Sequence, residues 1–225
     1  QAEDGIRDFC LSRGLGDVYK RQILITDYCA SSSNVTNSYF ENDQLGYVSF
    51  SANQRFLTSI PALSNPIFHE NNTVVTTLSN VKNFILLLNF ENFRSKADFI
   101  NAITATNYDL VVMDLYFRNR TEFTISEINQ IRNKANGGKR MVLSYVSIGE
   151  AEDYRYYWQL NWNTTPPNWL DAENPNWPGN YKVRYWEPEW QQIIYGNETS
   201  YMKKIINAGF DGVYLDLVDS FWFYE

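Results

Sequence analysis

From Asn83 onward the chain alternates apolar runs of strand length with segments whose apolar positions recur at helical spacing. Phe84 to Asn89 reads FILLLN, the continuous apolar run that a strand buried on both faces requires. Ser95 then stands three residues before Asp98, a capping-box-like pair, and Ala97, Ile100 and Ile103 fall on one helical face. Leu110 to Leu115 (LVVMDL) is a second buried strand with Asp114 near its end. Thr124 and Glu127 form a capping box ahead of the stripe Ile125, Ile128 and Ile131, and Gly137 and Gly138 supply the stop. Met141 to Val146 is the third strand and runs through Ser147, Ile148 and Gly149 into Glu150. Asn180 to Trp186 alternates strictly, with Lys182, Arg184 and Trp186 on one face, and reads as a fourth strand. Pro188 opens a helix that breaks at Gly196, resumes through Tyr201, Met202, Ile205 and Ile206, and closes at Gly209. Phe210 to Asp219 (FDGVYLDLVD) is the fifth strand, and it ends in two carboxylates, Asp216 and Asp219.

The rhythm of roughly thirty residues per strand-helix unit predicts a parallel sheet. Neither GxGxxG nor GxxxxGK[ST] follows the first strand, which removes the main support for a doubly wound nucleotide fold. The expected fold is therefore α/β, a (β/α)8 TIM barrel. Such a barrel takes about 250 residues and eight strands, so five strands by Glu225 predict a truncation at the C-terminus. Residues 23–80, rich in Asn, Ser and Thr, read as an N-terminal extension with β-like pieces at Gly46 to Ser51 and Thr73 to Leu78, and 81–225 as the partial barrel.

Charge and composition narrow the function. The 225 residues carry a net charge of −7, which gives nucleic acid no electrostatic footprint and suits a cationic substrate. Two cysteines, Cys10 and Cys29, and one histidine, His69, exclude zinc clusters and a disulfide framework, so no metal and no cofactor are expected. No segment has the length and apolarity of a membrane span. Asp17 to Gln22 (DVYKRQ) is what GAT GTG TAT AAG AGA CAG encodes, the end of a common transposase sequencing adaptor, and residues 1–22 are set aside as an assembly scar. Cys29 followed by Ala30 to Ser33 has some features of a lipid-bearing cysteine with a polar tether, but Asp27 and Tyr28 stand where small residues should precede it.

Three segments carry a family resemblance: Tyr145 to Trp158 (YVSIGEAEDYRYYW), Asn174 to Trp190 (NPNWPGNYKVRYWEPEW) and Gly209 to Asp219 (GFDGVYLDLVD). In that order they resemble the endo-α-1,4-polygalactosaminidase family, glycoside hydrolase family 114 and its relatives. The resemblance implies a (β/α)8 barrel, an exported protein and a polysaccharide substrate, a polymer of galactosamine cleaved between sugar units. Some members carry a label as cysteinyl-tRNA synthetase-like, with which these residues disagree, since HIGH-type and KMSKS-type signatures are both missing.

Glycoside hydrolysis asks for two carboxylates across the scissile bond, and acids at the C-terminal ends of barrel strands stand where such enzymes do chemistry. By the resemblance, Asp216 in the YLD position is the first candidate for a catalytic carboxylate, and Glu150 in the SIGE position is its partner within this chain. An acid on a later strand beyond Glu225 would leave Glu150 to bind substrate or tune its neighbour. A separation of about 5 Å implies a covalent retaining enzyme, and about 6.5–9.5 Å an inverting one. Asp114, Tyr145, Lys182, Arg184, Trp186 and Asp219 are candidates for substrate binding, although Asp114, Lys182 and Arg184 equally suit a buried structural network. All seven tryptophans lie between Trp158 and Trp222, where rings either stack on sugars and amines or pack a Pro-stiffened lid on itself. A non-catalytic carbohydrate-binding barrel is the alternative reading, and a structural surface protein the third. Sequence leaves the oligomeric state open.

Overall fold

The computed structural model describes residues 22–62 and 66–225; Cys10 and, apart from Gln22, the adaptor-like segment lie outside the described residues. The chain forms two compact units, one built from residues up to Met113 with Ser126–Leu143, the other from Asp114–Ile125 with Ser144–Glu225.

In the first unit β1 (Leu24–Tyr28) pairs in parallel with β2 (Val48–Ala52), Leu24 opposite Val48 and Tyr28 opposite Ala52. The crossover between them is α1 (Ser32–Gln44). Its N-cap Ser31 accepts the Asn34 N–H at 3.3 Å, and Val35 and Tyr39, one turn apart, are its buried residues. The stretch that sequence leaves as an extension thus contains a βαβ unit.

Phe84–Leu87 (β3) and Leu110–Met113 (β4) pair in parallel, and every residue of both is buried, which is why each reads as an unbroken apolar run. The helix α2 (Lys96–Thr104) connects them, capped by Ser95, whose hydroxyl accepts the Asp98 N–H at 3.1 Å. The next helix, α3 (Ile125–Ile131), starts directly after Thr124 and buries Ile128 and Ile131. The strand β5 (Met141–Ser147) follows beside β4. At the start of β4 a fully buried ion pair joins Lys134 Nζ to Asp109 Oδ1 at 2.5 Å, while the Asn71 amide and the Lys82 N–H each donate to Oδ2 at 2.9 Å. With its lone pairs so filled, the buried charge is tolerable.

The second unit takes over the end of β5 and adds a three-stranded antiparallel sheet in the order β6 (Glu150–Glu152), β8 (Asn180–Val183), β7 (Leu170–Glu173). The alternating segment expected as a fourth parallel strand is β8, antiparallel to both neighbours, with Glu150 opposite Lys182 and Glu152 opposite Asn180. Alternation is the pattern of a sheet with one apolar and one polar face. Ala151, Tyr181 and Val183 meet a cluster of Trp158, Trp162, Trp169 and Trp190, whereas Glu150, Glu152, Asn180 and Lys182 share the other face. Rings of that cluster meet edge to face, Trp162 and Trp169 at 5.0 Å and 90°, and Trp190 Nε1 donates to the Ile148 carbonyl at 3.0 Å. Four of the seven tryptophans therefore pack together against this sheet; Trp177, Trp186 and Trp222 are exposed. Two helices, α4 (Pro188–Ile194) and α5 (Tyr201–Ala208), lead to the last strand, β9 (Gly212–Asp216), beside β5.

Candidate active site

Asp216 is delivered by a short, well-specified run of sequence. Ser200 caps α5, its hydroxyl accepting the Lys203 N–H at 3.4 Å; Tyr201, Ile205 and Ala208 form the buried stripe; and Gly209 ends the helix at φ 84°, the left-handed conformation glycine adopts without penalty. The strand that follows ends at Asp216.

Two donors hold the carboxylate. Tyr145 of β5 donates its hydroxyl to Oδ2 at 2.7 Å, and the Leu217 N–H donates to Oδ1 at 3.0 Å. The second bond is made by a residue at φ 58°, a conformation that leucine rarely adopts and that marks strain held by its surroundings. Gly149 is part of those surroundings. A Cβ at Gly149 would lie 2.5 Å from the Leu217 carbonyl oxygen and from Ser220 Cβ, while the neighbouring Ile148 N–H donates to the Asp216 carbonyl at 3.2 Å. Gly149→Ala is therefore expected to displace the 217–220 segment at a cost of about 1–3 kcal/mol, measured by urea denaturation.

Burial pushes the Asp216 carboxyl above its ordinary value; the Tyr145 hydroxyl and the Leu217 N–H pull it back, and the negative charges of Glu152 and Glu150 push it up again.

Glu150 is 1% exposed and fully engaged. Lys182 Nζ lies 2.5 Å from its Oε1, the Asn174 amide donates to the same atom at 2.8 Å, and the Asn180 amide reaches Oε2 at 3.5 Å. Lys182 also sits over the Phe223 ring, 5.6 Å from its centre.

Glu152, two residues along the same strand face, is a residue that sequence reasoning missed. Its Oε1 accepts the Tyr154 hydroxyl and its Oε2 the Arg155 Nε–H. Arg155, 3% exposed, reaches Asp114 Oδ2 at 2.6 Å through Nη1, and the Tyr116 N–H donates to Asp114 Oδ1 at 2.7 Å. Burial raises the Asp114 carboxyl, and Arg155 and the Tyr116 N–H work against it. The available signal was the alternation Glu150, Ala151, Glu152 followed three residues later by Arg155.

The structure thus brings Tyr145 to Asp216 and Lys182 to Glu150, and ties Asp114 to Arg155. Arg184 goes elsewhere: it donates to the Asn168 carbonyl, and its Nη2 lies 3.1 Å from Asp171 Oδ2. Trp186, 46% exposed, meets Tyr185 and Tyr224 edge on at 5.1 and 4.8 Å. Asp219 is exposed and opens the short turn of helix Ser220–Phe223. Among the described residues no group of three or more His, Cys, Asp or Glu side chains is arranged to hold a metal ion, and no helix is long and apolar enough to cross a membrane.

The sequence is similar to those of several other proteins. The chain is 44% identical over 152 residues to an uncharacterized protein of Methanocaldococcus jannaschii, covering 68% of the chain and 41% of that protein. It is 40% identical over 119 residues to an uncharacterized protein of Thermotoga maritima, covering 53% of the chain and 35% of its relative. The chain thus spans about two fifths of the length of these relatives or less. Two solved structures are similar to it: Aspergillus fumigatus Ega3 in complex with galactosamine (19% identity, TM-score 0.43, 68% of this chain and 51% of that one) and the glycoside hydrolase domain of PelA from Pseudomonas aeruginosa (15%, 0.42, 64% and 47%). The model of the glycoside-hydrolase family GH114 matches residues 89–224, a span that takes in all three of the motifs quoted from the sequence. With more than half of its length so matched, the chain belongs to glycoside-hydrolase family GH114.

Proposed function

We propose that this chain is the part of a (β/α)8 barrel that carries a glycosidase's catalytic carboxylates, and that the enzyme cleaves an amino-sugar polymer of the polygalactosamine kind. The observation that carries this reading is Asp216 at the end of β9, half-buried, held by Tyr145 and Leu217, and subject to the negative charges of the glutamates of β6. A carboxyl that burial raises holds its proton to a higher pH than an exposed one, which suits a group that protonates a leaving glycosidic oxygen. Glu150, ion-paired with Lys182, is the charged partner that attacks the anomeric carbon or activates water. Exposed Trp186 offers a face for a sugar ring, and aromatic faces also attract the ammonium of galactosamine. The enzyme acts within the polymer, needs no metal and is exported.

The test is reducing-end release from α-1,4-linked galactosamine polymer and, in parallel, from chitosan. Faster release from the galactosamine polymer is expected, as oligomers rather than single sugars, and unchanged by a chelator. Saturable binding to that polymer with no release would favour the non-catalytic barrel instead, and loss of the activity in chelator would refute metal independence.

A further inference from the structure

Sequence offers Tyr145 as a substrate contact, but its geometry fits a different task. A phenol has one proton to donate, and Tyr145 donates it to Asp216 Oδ2 at 2.7 Å. Tyr145 itself is half-buried, on the face of β5 opposite its fully buried neighbours Ser144 and Val146. Burial first, then the charges of Glu152 and Asp216, raise the phenol far above its ordinary value, so it stays a neutral donor throughout the working pH range. The charged residues of β6, Glu150 and Glu152, are both negative, and their charges act on Asp216. The cations that could offset them are committed, Lys182 on β8 to Glu150, and Arg155 to Glu152 and Asp114. Tyr154 is likewise committed to Glu152. Among the described residues, the hydrogen-bond donors to the Asp216 carboxylate are the Tyr145 hydroxyl and the Leu217 N–H.

Resting on the reading of Asp216 as a catalytic carboxylate, we propose that Tyr145 is a positioning residue: with the Leu217 N–H it fixes the orientation of that carboxylate and offsets the negative charge that Glu150 and Glu152 direct at it. The hydroxyl is spent on Asp216 and not on the sugar. A donor to the ionised form makes the proton easier to release, which a general acid needs in each turnover.

The experiment is a 13C NMR titration of the Asp216 carboxyl in the full-length, ligand-free protein, wild type against Tyr145→Phe. Loss of the donor is expected to raise the midpoint by roughly one pH unit. The alkaline limb of kcat should move up with it, while KM changes little. A fluorinated tyrosine at position 145, a stronger donor, should lower the midpoint, and it decides the matter if Tyr145→Phe does not fold. An unchanged midpoint in the phenylalanine or fluorinated protein, or a raised KM with the kcat profile in place, would overturn the proposal. The catalytic reading fails separately: if Asp216→Asn keeps its activity, Asp216 is not catalytic, and the ligand-free titration still shows whether Tyr145 holds it.

Discussion

Arg155→Leu is expected to destabilise the protein by about 3–5 kcal/mol, read as a lower midpoint of urea denaturation at neutral pH. Arg155 joins two buried carboxylates, Asp114 through Nη1 and Glu152 through Nε, and lies over the rings of Tyr154 and Tyr201 at 5.0 and 5.6 Å. Removing it leaves both acids in the interior without a counter-charge, the case in which breaking a buried pair is most destabilising. The sign of the pH dependence follows. Without the guanidinium, Asp114 rises further above its unfolded value, so the variant loses stability as pH climbs through that range and regains it in acid, where the carboxyl is protonated. Its deficit against wild type should therefore shrink between pH 7 and 5. The same change at an exposed cation gives the contrast: Lys203 pairs with an 86%-exposed Glu198, and Lys203→Leu should cost no more than about 1 kcal/mol.

Asp216→Asn is expected to abolish most of the activity, a loss of about 10²–10⁴-fold in kcat, while leaving stability at neutral pH unchanged or improved. The two effects share a cause. Burial, reinforced by Glu152 and Glu150, makes the ionised Asp216 unfavourable in the fold. A carboxyl raised in the folded state destabilises it as pH rises through the folded value, and a neutral amide does not. The Tyr145 hydroxyl rotates to accept from an amide as readily as it donates to a carboxylate, so that contact survives. The melting temperature of Asp216→Asn should equal or exceed that of wild type at pH 7 and converge with it as the pH falls. A variant that was inactive because it unfolded would show the opposite.

The parallel strands were legible because burial on both faces demands unbroken apolar runs, as in Phe84–Leu87 and Leu110–Met113, and because Ser95, Ser200 and Gly209 mark helix ends by their own chemistry. The helix α1 escaped notice because its buried side is carried by Val35 and Tyr39 within a run of Asn and Ser, too few apolar positions to set a period. The orientation of β8 was hidden for a related reason: alternation fixes which residues share a face and says nothing about the direction of the neighbouring strand. Asp216 was readable as the acid that closes β9, whereas Glu150 opens a separate strand, β6. Their partners were not, since the Tyr145–Asp216 bond joins residues 71 apart, and Glu152 looked like any other acid until Arg155 and Tyr154 closed on it. Lys182 and Arg184 share a strand face in sequence, yet Lys182 turns to Glu150 and Arg184 to Asp171, because β8 ends between them at Val183.

The measurement that bears most directly on the account is reducing-end release from galactosamine polymer by the full-length protein and its Asp216→Asn variant, side by side at neutral pH. Release by wild type, with a variant that stays folded and is slower by at least about 100-fold, is the predicted result. A folded variant as fast as wild type would show that Asp216 is not the catalytic carboxylate.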